Sequence, residues 1–114
     1  MARVALTDGS KAWFNTESAV IFKEDTRWDG RNQISVPTGS QWDHEWLYYT
    51  KSGKWVKNEF SAYQGTMETY EQIDDQDAIE WLILNNKTEA TTGLMELPEG
   101  VRLSVQAGFA AAEI

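Results

Sequence analysis

No cysteine occurs in the 114 residues, which excludes disulfides and thiolate metal sites. Histidine appears once, at His44. Metal centres usually draw on several His or Cys ligands, so a lone imidazole points away from zinc or copper. The D-x-D-x-D-G spacing with which carboxylates wrap calcium is missing too. No G-x-S-x-G elbow surrounds Ser10, Ser40, Ser52 or Ser61, and neither Asp8-Gly9-Ser10 nor Thr38-Gly39-Ser40 has the Lys-Ser/Thr context of a phosphate-binding loop. No cofactor and no metal are therefore expected. No apolar run approaches the ~20 residues that span a bilayer, and the opening MARVALTDGS lacks the long apolar stretch of a secretory signal. The expectation is a cytoplasmic protein without membrane contact. Positive charge is scarce: 10 basic against 18 acidic side chains leave a net charge of −8. Such a field repels phosphate backbones, which makes direct nucleic-acid binding an unfavoured reading. It suits a basic protein partner, or solubility alone.

What the sequence does contain is an ordinary globular composition, 41% hydrophobic and 25% charged, with six tryptophans. At this length a single domain over 1–114 buries about two thirds of the surface of its unfolded chain. Most of the tryptophans are expected in the core, as large apolar bodies with one N–H to satisfy.

Residues 3–14 read as a hairpin around Asp8-Gly9. Asn15 or Thr16 can cap a short helix over 16–25, with Ala19, Val20 and Phe22 as its apolar stripe. The segment 25–45 is a long polar connection with one strand candidate, Gln33–Val36, a turn at Asp29-Gly30 and Pro37 closing the strand. Long irregular loops tend to be functional, so this segment is a first place to look for a site.

The centre of the chain, residues 46–83, is denser in signals. Trp46–Thr50 and Trp55–Phe60 flank Lys51-Ser52-Gly53-Lys54 as an aromatic hairpin. A two-residue loop sets Tyr49 opposite Val56; a three-residue loop with Gly53 left-handed shifts the pairing by one. Alternation gives one face Leu47, Tyr49, Val56 and Phe60, taken as the core face, and the other Trp46, Tyr48, Trp55, Lys57 and Glu59. A turn at Gln64-Gly65-Thr66 leads to a third strand, 68–73, and Asp74 caps an amphipathic helix over 74–85. Asp77 adds a capping-box pattern, Ile73 and Ala78 occupy staple positions, and Asn85-Asn86 ends the helix.

The tail, 87–114, carries two signals. Val101, Leu103, Val105 and Ala107 alternate as in a strand, whereas Pro98 with Leu97, Val101, Val105 and Phe109 steps as in a helix, which is the preferred reading. The predicted class is α+β: an antiparallel sheet of three to five strands packed by the main helix (74–85), a short helix near 16–25 and a possible C-terminal helix.

The runs Y-x-T-K-S-G-K-W-V-x-N (Tyr48–Asn58), S-x-x-Q-G-T-x-E-T-Y-E (Ser61–Glu71) and A-x-x-W-L-x-x-N (Ala78–Asn85) resemble small bacterial and phage-type proteins with a tryptophan-rich hairpin, a Q-G turn and an E-A-x-x-W-L helix. The resemblance covers about a third of the chain and implies a small intracellular module without an assigned activity. It transfers no catalytic residue.

Four constellations carry candidate chemistry. His44, between Asp43 and Glu45, can serve as a general base in a small hydrolase using carboxylates of the 25–45 loop; the bland reading is a hydrogen-bonded surface histidine. Close carboxylates such as Asp74-Asp75 suit acid–base hydrolysis, but arise without function among so many acidic residues. The aromatic face Trp46, Tyr48, Trp55 with Lys57 can stack single-stranded bases or anchor a protein ligand, unless another layer covers it. The acidic corner Glu68, Glu71, Asp74, Asp75, Asp77 and Glu80 lies in a stretch, Asn58 to Asn86, without a single Lys or Arg. Capping and solubility account for it blandly; a docking surface for a basic partner is the sharp reading. The functional expectation is a non-enzymatic acidic protein-binding module, in its concrete form a phage or mobile-element inhibitor of a host nucleic-acid-binding protein.

Overall fold

The computed structural model describes residues 2–62, 67–89 and 93–114. The fold is α+β, in three layers. The middle layer is an antiparallel sheet of four strands, β3 (Val20–Lys23), β6 (Asp43–Tyr49), β7 (Trp55–Ser61) and β8 (Thr69–Ile73), in the order β3-β6-β7-β8. A hairpin of β1 (Arg3–Ala5) and β2 (Trp13–Asn15) covers part of one face. Two helices, α1 (Asp75–Leu84) and α2 (Glu99–Ala111), cover the other.

The β6–β7 turn sets the register. Thr50 N–H donates to Lys54 O at 2.8 Å, and Lys54 N–H donates to Thr50 Oγ1 at 3.0 Å. Gly53, at φ +84°, occupies the left-handed position of the resulting three-residue loop. Tyr49 therefore pairs with Trp55, Tyr48 with Val56 and Leu47 with Lys57. This is the shifted alternative, and a one-residue shift moves every side chain of β7 to the other face. The two faces expected for the hairpin are corrected accordingly. Trp55, 2% exposed, joins Phe22 and Leu47 beneath Ala78, Trp81 and Leu82 of α1 and Val105 of α2. Val56 instead lies with Tyr48 and Phe14 under the β1–β2 hairpin.

The expected helix over 16–25 is also corrected. Asn15 does cap a turn, its Oδ1 accepting from Glu17 N–H, but the 3-10 turn ends at Ser18. Val20, Ile21 and Phe22 then run extended along β6, with Phe22 buried inward and Ile21 facing outward. β-Branched residues lose rotamer freedom in a helix and fit a pleated edge, so pairing with β6 overrides the local stripe. Within the polar connection, β4 (Thr26–Trp28) and β5 (Gln33–Ser35) form a small hairpin. Asp29 Oδ1 closes its turn by accepting from Arg31 and Asn32 N–H. β6 begins at Asp43, so His44 belongs to the sheet and not to a loop. The turn expected at Gln64-Gly65-Thr66 lies outside the described residues.

α1 forms as its cap signals require: Asp74 Oδ1 accepts from Asp77 N–H at 2.8 Å, and the chain leaves the helix through Asn86 at φ +58°. Buried Asn85 fastens this end, donating to Trp81 O and accepting from Asp25 N–H. The tail is helical: a 3-10 turn over Leu94–Glu96 precedes α2, with Pro98 at the N-cap. Leu97 and Val105 are buried, while Phe109 stays 52% exposed, so only part of the expected stripe is used. Among the described residues no helix is long and apolar enough to cross a membrane.

The helices touch most closely at Gly108, where a Cβ would sit 2.9 Å from Ile79 Cγ2. Alanine is better in a helix than glycine by about 1 kcal/mol, but here that gain meets a steric clash. Gly108→Ala is expected to be neutral or destabilising in the native chain. In an Ile79→Ala background it should be stabilising by about 1 kcal/mol, a sign change that urea unfolding of the four proteins of the cycle will detect.

Candidate functional site

Charge is distributed unevenly over the layers. Residues 1–73, which build the strands, carry ten carboxylates and eight cations, a balance of −2. Residues 74–114, which contain both helices, carry eight carboxylates against only Lys87 and Arg102, a balance of −6 out of −8.

The strand side neutralises its carboxylates through Lys57. Its Nζ lies 3.2 Å from Glu59 and 3.3 Å from Glu71, on the face that the helices partly cover. Burial alone would lower the ammonium pKa, but Glu45, Glu59 and Glu71 outweigh it and hold the group above its ordinary value. Glu45 sits at the margin of the α1 footprint and accepts from Trp81 Nε1–H at 3.1 Å. Burial raises its pKa, partly offset by Lys57 and by the indole donor, while Glu59 and Glu24 push in the same direction as burial.

The structure splits the expected acidic corner. Strand alternation sends Glu68 and Glu71 to opposite faces. Glu68 Oε1 accepts from Asn58 Nδ2 and from the Tyr70 hydroxyl, both at 3.0 Å. Burial first, then Glu68, pushes that hydroxyl well above the usual tyrosine range. Glu71 belongs to the Lys57 pairs, and Asp74 is occupied as the N-cap. Asp77 and Glu80 share an exposed side of α1, with Glu80 accepting from Gln76 Nε2, while Asp75, also exposed, turns toward Tyr49 and Gly53. The last turn of α1 holds no basic residue.

The expected aromatic face does not survive the register. Trp46 and Tyr48 lie on one side of the sheet, Trp55 and Lys57 on the other. Tyr48 is covered by Phe14, ring centroids 5.1 Å apart. Trp46 meets Phe60 edge-on at 5.1 Å and carries Lys23 5.0 Å above its ring. The half-buried end of that face is thus Trp46, Phe60 and His44, with exposed Lys23 over the indole, a different set from the one expected.

His44 has a carboxylate partner, though not one from the 25–45 loop. Its Nδ1 is 3.0 Å from Glu24 Oε2, and the same carboxylate accepts from Glu45 N–H at 2.7 Å through Oε1. Glu24, its side chain 5% exposed, thereby extends the β3–β6 ladder by one bond beyond Lys23. Assigning 16–25 to a helix hid this pairing. A concavity of about 160 Å³ at this end of the sheet is lined by Asp43, Glu59, Phe60, Ser61, Met67 and Thr69, and not by His44. Among the described residues no cluster of three or more His, Asp or Glu side chains is placed to hold a metal ion.

No protein-family model matches this chain, and neither does any curated protein or solved structure.

The raised Glu45 pKa has a signed consequence for stability. A carboxyl that holds its proton more tightly when folded stabilises the fold at low pH and loses that contribution as pH rises through the folded value. Relative to Glu45→Gln, the native chain should lose unfolding free energy as pH climbs from the ordinary glutamate value of 4.5. Urea unfolding of both proteins from acid to neutral pH measures the difference; two parallel profiles would mean that Glu45 is not desolvated.

Proposed function

We propose that the chain is a non-enzymatic docking module that binds a basic protein in the cytoplasm through the carboxylates of its helical layer. The observation that carries this reading is the segregation of charge: residues 1–73 have a balance of −2, whereas residues 74–114 carry six of the eight net negative charges, three of them on α1 at Asp75, Asp77 and Glu80. Capping uses Asp74, but it makes no demand on Asp77 or Glu80, whose side chains lie exposed on α1. A field of one sign on one layer steers a partner of opposite sign and orients it on encounter. The concrete version is a phage or mobile-element regulator that occupies the nucleic-acid-binding surface of a host protein, its carboxylates standing where phosphates would lie. This version rests on charge and on the resemblance noted above.

A hydrolytic reading through His44 has one supporting feature, the orienting carboxylate of Glu24. The docking reading is preferred, because the concavity at this end of the sheet is lined by its neighbours Asp43 and Glu59 and not by His44 itself. Stacking of single-stranded bases on the expected aromatic face loses its platform once Trp55 is buried.

Asp75→Asn, Asp77→Asn and Glu80→Gln, combined, remove three charges and leave the Asp74 cap intact. The protein captured from lysate by the native chain should be basic. Once purified, it should bind the triple variant at least about tenfold more weakly, a loss of roughly 1.4 kcal/mol, while the variant stays folded with a melting temperature lowered only by the lost dipole stabilisation at Asp75 and Asp77. Its association rate should also fall as salt rises. Equal affinity for the variant would remove this surface from consideration. A hydrolytic activity abolished by His44→Ala would overturn the non-enzymatic reading.

A further inference from the structure

The β1–β2 layer carries a concavity of the opposite character. A cleft of about 330 Å³ opens between β2 and the β6–β7 turn, lined by Trp13, Phe14, Ser18, Thr50, Lys51 and Ser52. A smaller cavity of about 90 Å³ shares Trp13, Phe14, Thr50 and Ser52 with it and adds Lys54. Strand alternation explains its aromatic wall: Phe14 turns inward onto Tyr48 and Val56, so its neighbour Trp13 turns outward and stays 57% exposed. Arg3 lies 5.2 Å over the indole ring, opposite Asn15 in the hairpin register. The floor is preformed, because Thr50 Oγ1 is held by Ser52 Oγ at 3.2 Å and by Lys54 N–H at 3.0 Å.

Arg3 thus lies over the exposed indole, Lys51 lines the same cleft and Lys54 the smaller cavity adjoining it, in a protein whose net charge is −8. Of the nearby carboxylates, Asp8 is committed to Ser10 and Gln72 N–H, and Glu17 lies in the following turn. An exposed tryptophan offers a π face to a planar ring, and lysines attract a compact anion as point charges.

We propose that this cleft binds one nucleotide, its base stacked on Trp13 and its phosphate held by Lys51 and Lys54. The volume lies at the lower end of the roughly 300–1,000 Å³ typical of small-molecule sites, which suits one nucleotide rather than two. A neutral sugar would leave the cations without a role, and inorganic phosphate would leave the indole without one. The same chemistry is offered by a free nucleotide and by one unit of a single strand. The inference is independent of the acidic helical layer, which faces away across the sheet.

Titration of the isotope-labelled full chain with adenosine and guanosine monophosphate, followed by NMR, tests it. Saturable shifts are expected at the Trp13 indole N–H and at the Lys51 and Ser52 amides. Trp13→Ala should weaken binding about tenfold or more, Trp13→Phe should retain most of it, and Lys51→Glu should weaken the monophosphate but not the nucleoside. Because Trp13 and Lys51 are exposed, the spectra of the variants themselves report that the fold is kept. Equal affinity for a mononucleotide and for oligodeoxythymidylate assigns the cleft to free nucleotides, and a much tighter oligomer assigns it to a strand. Absence of shifts in the cleft at millimolar nucleotide, or binding indifferent to Trp13→Ala, overturns the proposal.

Discussion

Gly53 accepts a left-handed conformation, Thr50 reaches Lys54 across the turn, and this closure fixes the side of the sheet on which every residue of β7 lies. Slip the pairing by one and Trp55 leaves Phe22 and Leu47, while Lys57 is forced beneath Phe14. A charged ammonium in that apolar layer would lose Glu45, Glu59 and Glu71 and be buried among aromatic rings, a costly exchange for a charged group. With the observed register, Lys57 instead meets Glu45, Glu59 and Glu71 at the edge of the helical footprint. Turn geometry and charge pairing therefore select the same alignment, which is how a short hairpin acquires a unique register.

The same alignment explains why the two sides of the molecule differ electrostatically. One lysine placed among three glutamates pairs locally with the carboxylates of that face, and Asn58 with the Tyr70 hydroxyl takes up Glu68. Nothing comparable happens on the helices, whose only basic residue is Arg102. Negative charge at the start of α1 is favoured by the helix dipole, so Asp74, Asp75 and Asp77 stabilise locally. Glu80 lies a turn further on, where the dipole offers little. Part of the acidic surface is thus structural, and part has no structural need.

How far the sequence could be read depended on the range of the forces involved. α1 was legible because its signals are local: Asp74, the Ile73–Ala78 spacing and Asn85-Asn86 lie within a turn of what they control. The hairpin was legible as a hairpin, but its faces hung on a single backbone conformation at Gly53, which composition does not decide. Val20 to Lys23 satisfied a helical stripe and a strand alternation equally, and the choice was made by β6, twenty-odd residues away in the chain. Glu24 was hidden by the same misreading, since a carboxylate within a helix would not have been sought as the partner of His44. Among the acidic residues, strand alternation separates Glu68 from Glu71, a signal already present in the sequence. The cleft beside Trp13 depends on the packing of β2 against the β6–β7 turn, and no local pattern announces it.

An anion-binding cleft on an acidic protein is consistent only if fields are local, and here the layers make them so. Sheet-to-layer spacings of about 10 Å put the β1–β2 hairpin and the helices some 20 Å apart on opposite sides of the sheet. Exposed charges separated by more than the Debye length, about 8 Å at physiological ionic strength, scarcely feel one another. Arg3, Lys51 and Lys54 therefore dominate the potential at Trp13, while Asp77 and Glu80 dominate it over α1; Asp75 lies nearer the β6–β7 turn, lining a concavity with Gly53. Net charge describes how the whole molecule drifts toward others, whereas the potential at each surface is set by the side chains within about a Debye length of it.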